Sequence, residues 1–108
     1  LKNANHPPVP VLKQGDEITV KSGQGFGLDA SDTYDTDGDS FSYLWFDYPE
    51  AGTYKKPLQI SPENYNNIWL TAPDVEKKET LHIILKITDK GSPRLSRYKR
   101  IIVTILPK

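Results

Sequence analysis

Thr80-Leu81-His82-Ile83-Ile84-Leu85-Lys86-Ile87-Thr88 is the stretch that decides the fold. Side chains of an extended chain alternate between two faces, so Leu81, Ile83, Leu85 and Ile87 share one side and His82, Ile84, Lys86 and Thr88 the other. A wholly aliphatic side opposite a mixed one is what a strand covering a core requires, because a slip of one residue would expose the whole aliphatic set. The stretch Ser96 to Leu106 repeats the pattern, with Ile101, Val103 and Ile105 inward and Tyr98, Arg100, Ile102 and Thr104 outward. Phe41, Tyr43 and Trp45 form a third inward face. Between the first two stretches, Asp89-Lys90-Gly91-Ser92-Pro93 carries the glycine and proline of a hairpin connection, which predicts that they pair antiparallel.

Working outward, nine prolines and seven glycines break the chain into strand-length pieces, none with a 3.6-residue period. The expected strands are Val9 to Leu12, Glu17 to Lys21, Phe26 to Ala30, Ser40 to Tyr48, Leu58 to Ile60, Asn67 to Ala72, Thr80 to Thr88 and Ser96 to Leu106. The fold class predicted is all-β, an immunoglobulin-like antiparallel sandwich of seven or eight strands. At 108 residues the chain has room for one core, and eleven aromatic side chains compensate for an apolar fraction of 36%. Leu1 to Pro8 reads as a polar linker from a preceding domain, so the chain is expected to be a piece of a larger protein, with the sandwich domain over 9–108. Asp35-Thr36-Asp37-Gly38-Asp39 reads as a turn in which aspartates bond to the backbone and Gly38 takes a positive φ.

Fourteen basic and fourteen acidic side chains cancel, which leaves no overall field to attract nucleic acid or an anionic membrane. No apolar run reaches the ~20 residues of a spanning helix, so membrane insertion is not expected. The absence of cysteine excludes disulfides and thiolate metal sites.

Leu28-Asp29-Ala30-Ser31, Asp35-Thr36-Asp37-Gly38-Asp39, Phe41-Ser42-Tyr43-Leu44-Trp45, Ala72-Pro73 and Ile87-Thr88-Asp89-Lys90-Gly91 together resemble the polycystic-kidney-disease and cadherin-like bacterial repeats. The run from Trp45 to Tyr54, with Leu81 to Leu85 and Arg97 to Arg100, is more specifically similar to the C-terminal domain of bacterial cellulose-binding-type proteins, whose N-terminal domain is similar to nucleoside hydrolases. Thr36 stands where the general repeat often has proline. The resemblance implies a non-catalytic C-terminal module on an exported protein of plant polysaccharide use, partnered by an N-terminal hydrolase-like domain of the same chain.

Two constellations carry chemistry. Asp35, Asp37 and Asp39, joined by Asp89 if the two loops share one end of the sandwich, offer hard oxygen ligands and make calcium the one cofactor candidate, the alternative being a calcium-stabilised cadherin-like adhesion repeat. The spacing is not that of an EF-hand, and a turn with self-bonded aspartates explains the same residues. The second is a patch: Leu44, Phe46 and Tyr48 lie on the outer side of their strand, where Tyr98, Ile102, His82 and Ile84 would extend them and Tyr54 would rim them. Docking against the N-terminal domain, stacking of plant-polysaccharide sugar rings, and burial under a local loop are its three candidate uses, in that order. Trp69 turns outward by alternation and reads as cover for a sandwich flank.

Arg94, Arg97, Lys99 and Arg100 read as a solvated basic face that Glu50, Glu76 and Glu79 can balance. His6 and His82 have no nucleophile beside them, and Gly23-Gln24-Gly25-Phe26-Gly27 leads into a strand rather than a phosphate-binding helix, so catalysis is not expected.

Overall fold

The structure is a computed structural model and describes residues 8–35, 37–38, 40–56, 58, 60, 63–91 and 94–108. Among these residues lie six strands and no helix: β1 (Glu17–Lys21), β2 (Gly25–Asp29), β3 (Phe41–Asp47), β4 (Asn67–Thr71), β5 (Glu79–Asp89) and β6 (Ser96–Leu106). One sheet has the order β1-β6-β5-β3 and the other pairs β2 with β4.

The expectation of seven or eight antiparallel strands is corrected on two points. β1 runs parallel to β6, from Glu17 opposite Ile102 to Lys21 opposite Leu106, so the larger sheet is mixed. Val9 to Leu12 does not form a strand, since Pro8 and Pro10 have no N–H to give a ladder. Val9 makes a single bridge to Tyr34, and Val11 N–H donates to the Thr33 hydroxyl at 3.1 Å instead of to a strand. Leu58 and Ile60 pack against the core, and Leu58 N–H donates to the Asp47 carboxylate at 3.0 Å; Gln59, the middle of the expected strand, lies outside the described residues.

Alternation works as expected in the long strands. Leu81, Ile83, Leu85 and Ile87 of β5 and Ile101, Val103 and Ile105 of β6 are buried, and they meet Phe26 and Leu28 of β2 and Ile68 and Leu70 of β4 in one cluster around Trp45. Two sheets thus share a single apolar interior, which is the main source of stability in a domain of this size. Phe41 and Tyr43 sit at its margin, their rings edge to face at 5.4 Å. Burial, and secondarily the Asp29 charge, pushes the Tyr43 phenol above its ordinary pKa.

The chain crosses between sheets in the turn from β1 to β2. Gly23 takes φ +79° there, a region closed to most side chains, and Gln24 N–H closes the turn onto the Lys21 carbonyl at 3.0 Å. Beside it, buried Ser22 donates its backbone N–H and its hydroxyl to the Leu106 carbonyl, and the hydroxyl accepts Val75 N–H at 3.0 Å. One side chain therefore joins the end of β6 to the β4–β5 connection. Ser22→Ala leaves the Val75 N–H without its acceptor and should cost about 1–2 kcal/mol. The midpoint of urea unfolding checks this, and a midpoint equal to that of the unmodified protein would refute it.

Candidate functional site

The outer side of the β6-β5-β3 sheet is organised by register. Phe46 stands opposite Ile84 and Ile84 opposite Arg100, while the adjacent row is Leu44, Lys86 and Tyr98. Antiparallel neighbours hold such side chains within contact distance, so residues far apart in sequence form one surface. Phe46, Tyr48, Ile84, Tyr98 and Arg100 line a shallow groove of about 340 Å³. Ile84, on the outward side of its strand, is only 8% exposed, whereas Tyr48 and Tyr98 on the rims are 40% and 61% exposed.

Cations stand against both rims. The Arg100 guanidinium lies 5.8 Å from the Tyr48 ring centre and the Lys86 ammonium 5.7 Å from that of Tyr98, separations at which the ring quadrupole attracts positive charge. The basic cluster read from the sequence is divided by alternation: Arg100 belongs to the groove, and Lys99 turns the other way to pair with Asp16 at 3.5 Å. Sequence reasoning left Arg100 and Lys86 out of the patch. Their signal was present, because Arg100 shares the outward parity of Tyr98 and Lys86 that of Ile84.

The remaining patch residues are placed differently. His82 is half-buried beside the Pro49–Gly52 turn, where a Cβ added to Gly52 would lie 3.4 Å from its ring and 2.5 Å from the Thr80 carbonyl. The Tyr48 N–H donates to the His82 carbonyl, and the His82 Nδ1 is buried without a hydrogen-bond partner among the described residues. Burial first, and the Arg100 charge second, hold its pKa below the ordinary histidine value, so the imidazole is neutral at pH 7. Tyr54 is not brought into the groove. Its N–H bonds to the Thr80 carbonyl at 3.1 Å, and its side chain packs against the core and lines a separate open recess with Val75 and Glu79.

The acidic turn has the geometry expected of its residues. The Asp35 carboxylate accepts Asp37 N–H at 2.8 Å, Gly38 N–H closes onto the Asp35 carbonyl, and Gly38 has φ +76°. Asp39 lies outside the described residues. Asp89 is fully buried, and one carboxylate oxygen accepts the N–H groups of Gly91 and Leu95 at 3.1 and 3.0 Å. Phe41 pairs with Asp89 in register, which puts the acidic turn and the hairpin at the same end of the sandwich. Among the described residues no three histidine, aspartate or glutamate side chains come close enough to hold a metal ion.

The described residues thus form a two-sheet all-β domain with a mixed four-stranded sheet and a grooved outer face. Residues 25–105 match the family described as cellulose-binding protein Sde0182, C-terminal domain, and the chain belongs to that family. It is similar, at 34% identity and a TM-score of 0.88 over 94% of its length, to a nucleoside hydrolase-related protein from Saccharophagus degradans associated with carbohydrate metabolism. The chain spans 26% of that protein's length. A sialyltransferase of Photobacterium sp. JT-ISH-224 shares the fold over 84% of this chain and 17% of its own, with 9% identity and a TM-score of 0.58. No curated protein sequence matches the chain.

Proposed function

We propose that this chain is a non-catalytic accessory module of a carbohydrate-associated protein, seated by the outer side of β3, β5 and β6 on a hydrolase-like region of the same protein, as the nucleoside hydrolase-related relative suggests. The observation that carries this reading is the groove floored by Ile84 between Phe46, Tyr48, Tyr98 and Arg100, an aromatic and apolar surface on a sheet side that usually meets water. Contacts between domains of one chain commonly bury surfaces of this mixed character. A cation beside each tyrosine suits such a contact, since a desolvated cation–aromatic pair is stronger than an exposed one. The order β6-β5-β3 opposite β2-β4 supports an immunoglobulin-like reading of the sandwich. The family description names cellulose, which makes a β-linked glucan the ligand class we assign to the intact protein.

The test is association of this chain with the separately produced hydrolase-like region. Phe46→Ala combined with Tyr48→Ala is expected to weaken it by about tenfold or more, because central aromatic side chains dominate interface energetics. The module should stay folded, since neither ring belongs to the buried core. Equal affinity of the double variant and the unmodified chain, measured by calorimetry, rules out this face as the docking surface.

A further inference from the structure

The second sheet carries a surface that the docking reading does not use. Trp69 lies on the outer side of β4, opposite Gly27 of β2, and is 68% exposed, more than any other large hydrophobic side chain of the described residues. Its indole does not project into solvent. A Cβ added to Gly25 would come within 2.7 Å of Cζ2 and 3.1 Å of Cε2 and Nε1, and one added to Gly27 within 3.1 Å of Cε3 and 3.4 Å of Cζ3. Both ends of the ring system therefore rest on the same strand, across the two positions of β2 that have no side chain. With one ring face laid on glycine backbone and so much of the residue still exposed, the exposed area is the opposite flat face.

The surroundings are polar and sparsely charged. Asn67 and Thr71 flank Trp69 on the same side of β4, about 7 Å away along the strand. Asp29 stands opposite Asn67, and the Gln14 side chain reaches over the edge of β2, accepting Asp29 N–H at 3.1 Å and donating to the Gly27 carbonyl. Hydrogen bonds from Ser31 and the nearby Lys13 charge hold the Asp29 pKa below the ordinary carboxylate value, so it is a permanent acceptor at neutral pH. A protein or lipid partner would favour a cluster of apolar side chains around such a ring. A single flat aromatic face bordered by amide, hydroxyl and carboxylate groups instead suits a ligand with a flat apolar face and hydroxyls around its rim. The β-pyranose ring, with axial C–H groups on its faces and equatorial hydroxyls at its edge, has that form.

We infer that Trp69, laid on Gly25 and Gly27, is the stacking platform for a β-1,4-linked glucan, with Asn67, Thr71, Asp29 and Gln14 available to its hydroxyls. The inference rests on the glucan reading of the intact protein but not on docking through the other sheet. The platform faces away from the Phe46 groove because the two sheets enclose the core between them.

The test uses this chain with microcrystalline cellulose and with cellohexaose. Trp45 donates its indole N–H to the Tyr65 carbonyl inside the core, so the two indole N–H resonances act as an internal pair. Cellohexaose should shift the Trp69 signal and leave that of Trp45 unmoved. Trp69→Ala should lower affinity for both probes by about tenfold or more. Gly25→Val should weaken binding while keeping the ring, because the new side chain must lift the indole from its bed. Phe46→Ala with Tyr48→Ala should bind both probes as the unmodified chain does. Retained binding by Trp69→Ala overturns the site while leaving the glucan reading standing. Failure of the unmodified chain to bind either probe overturns the site, and failure of the intact protein in the same assay overturns the glucan reading as well. Concentration-dependent dimerisation abolished by Trp69→Ala in analytical ultracentrifugation would overturn the inference in favour of a second copy of the chain.

Discussion

Trp45→Ala is expected to remove about 3–5 kcal/mol of stability, the range for deleting a large aromatic from a close-packed core. Domains of this kind hold only about 5–15 kcal/mol in total, so the variant should be largely unfolded in mild denaturant. Trp45 is fully buried at the centre of the cluster formed by both sheets, and its removal leaves a cavity that β-strands fixed by their ladders cannot collapse to fill. Its indole N–H also donates to the Tyr65 carbonyl at 2.7 Å, and its backbone N–H to the Glu63 carbonyl at 2.7 Å, which ties the 63–65 segment along the edge of β3. Trp45→Phe helps to separate the two contributions, since it loses the indole donor but only the smaller part of the packing. Urea unfolding followed by circular dichroism should rank the unmodified chain above Trp45→Phe and that above Trp45→Ala. An alanine variant as stable as the phenylalanine one would show that the ring contributes its hydrogen bond and little else.

Asp89→Ala should be the next most damaging change, at about 2–4 kcal/mol, because it strands the N–H groups of Gly91 and Leu95 at the closed end of the β5–β6 hairpin. The side chain is fully buried, so water does not reach the lost acceptor site without rearrangement. Asp89→Asn retains one acceptor oxygen and should lose less. Amide hydrogen exchange resolves the effect by residue: exchange at Gly91 and Leu95 should accelerate in the alanine variant well beyond that in β5 and β6. Uniform acceleration along both strands would mean that Asp89 acts on the whole fold rather than on the hairpin.

What the sequence disclosed depended on how local the determining physics is. The sides of β5 and β6 were legible because Leu81 to Ile87 and Ile101 to Ile105 alternate over long runs, and the core they predict is the one observed. The parallel pairing of β1 was not, since the five residues Glu-Ile-Thr-Val-Lys carry no information about which strand they will lie beside. At Leu58 the Asp47 carboxylate takes the backbone N–H, a competition between side chain and ladder that no local pattern reveals. In the groove, outward parity correctly gathered Phe46, Tyr48 and Tyr98, but the near-complete burial of Ile84 depends on rings from two neighbouring strands. The 49–54 loop has the place of a rim in the sequence, but the chain after the 49–52 turn carries Tyr54 along Thr80. The outward direction of Trp69 followed from alternation, whereas its position flat on Gly25 and Gly27 needed the register of β2 against β4.

The pairing of β1 with β6 also decides how the module bears load. A pull that draws the chain before Glu17 one way and the chain after Leu106 the other slides these two strands past each other lengthwise. In that shear geometry the evenly spaced bonds of a parallel ladder are strained together and must fail together, whereas peeling would break them one at a time. A tether between a mobile body and an anchored polymer would gain toughness from that arrangement without any additional covalent link.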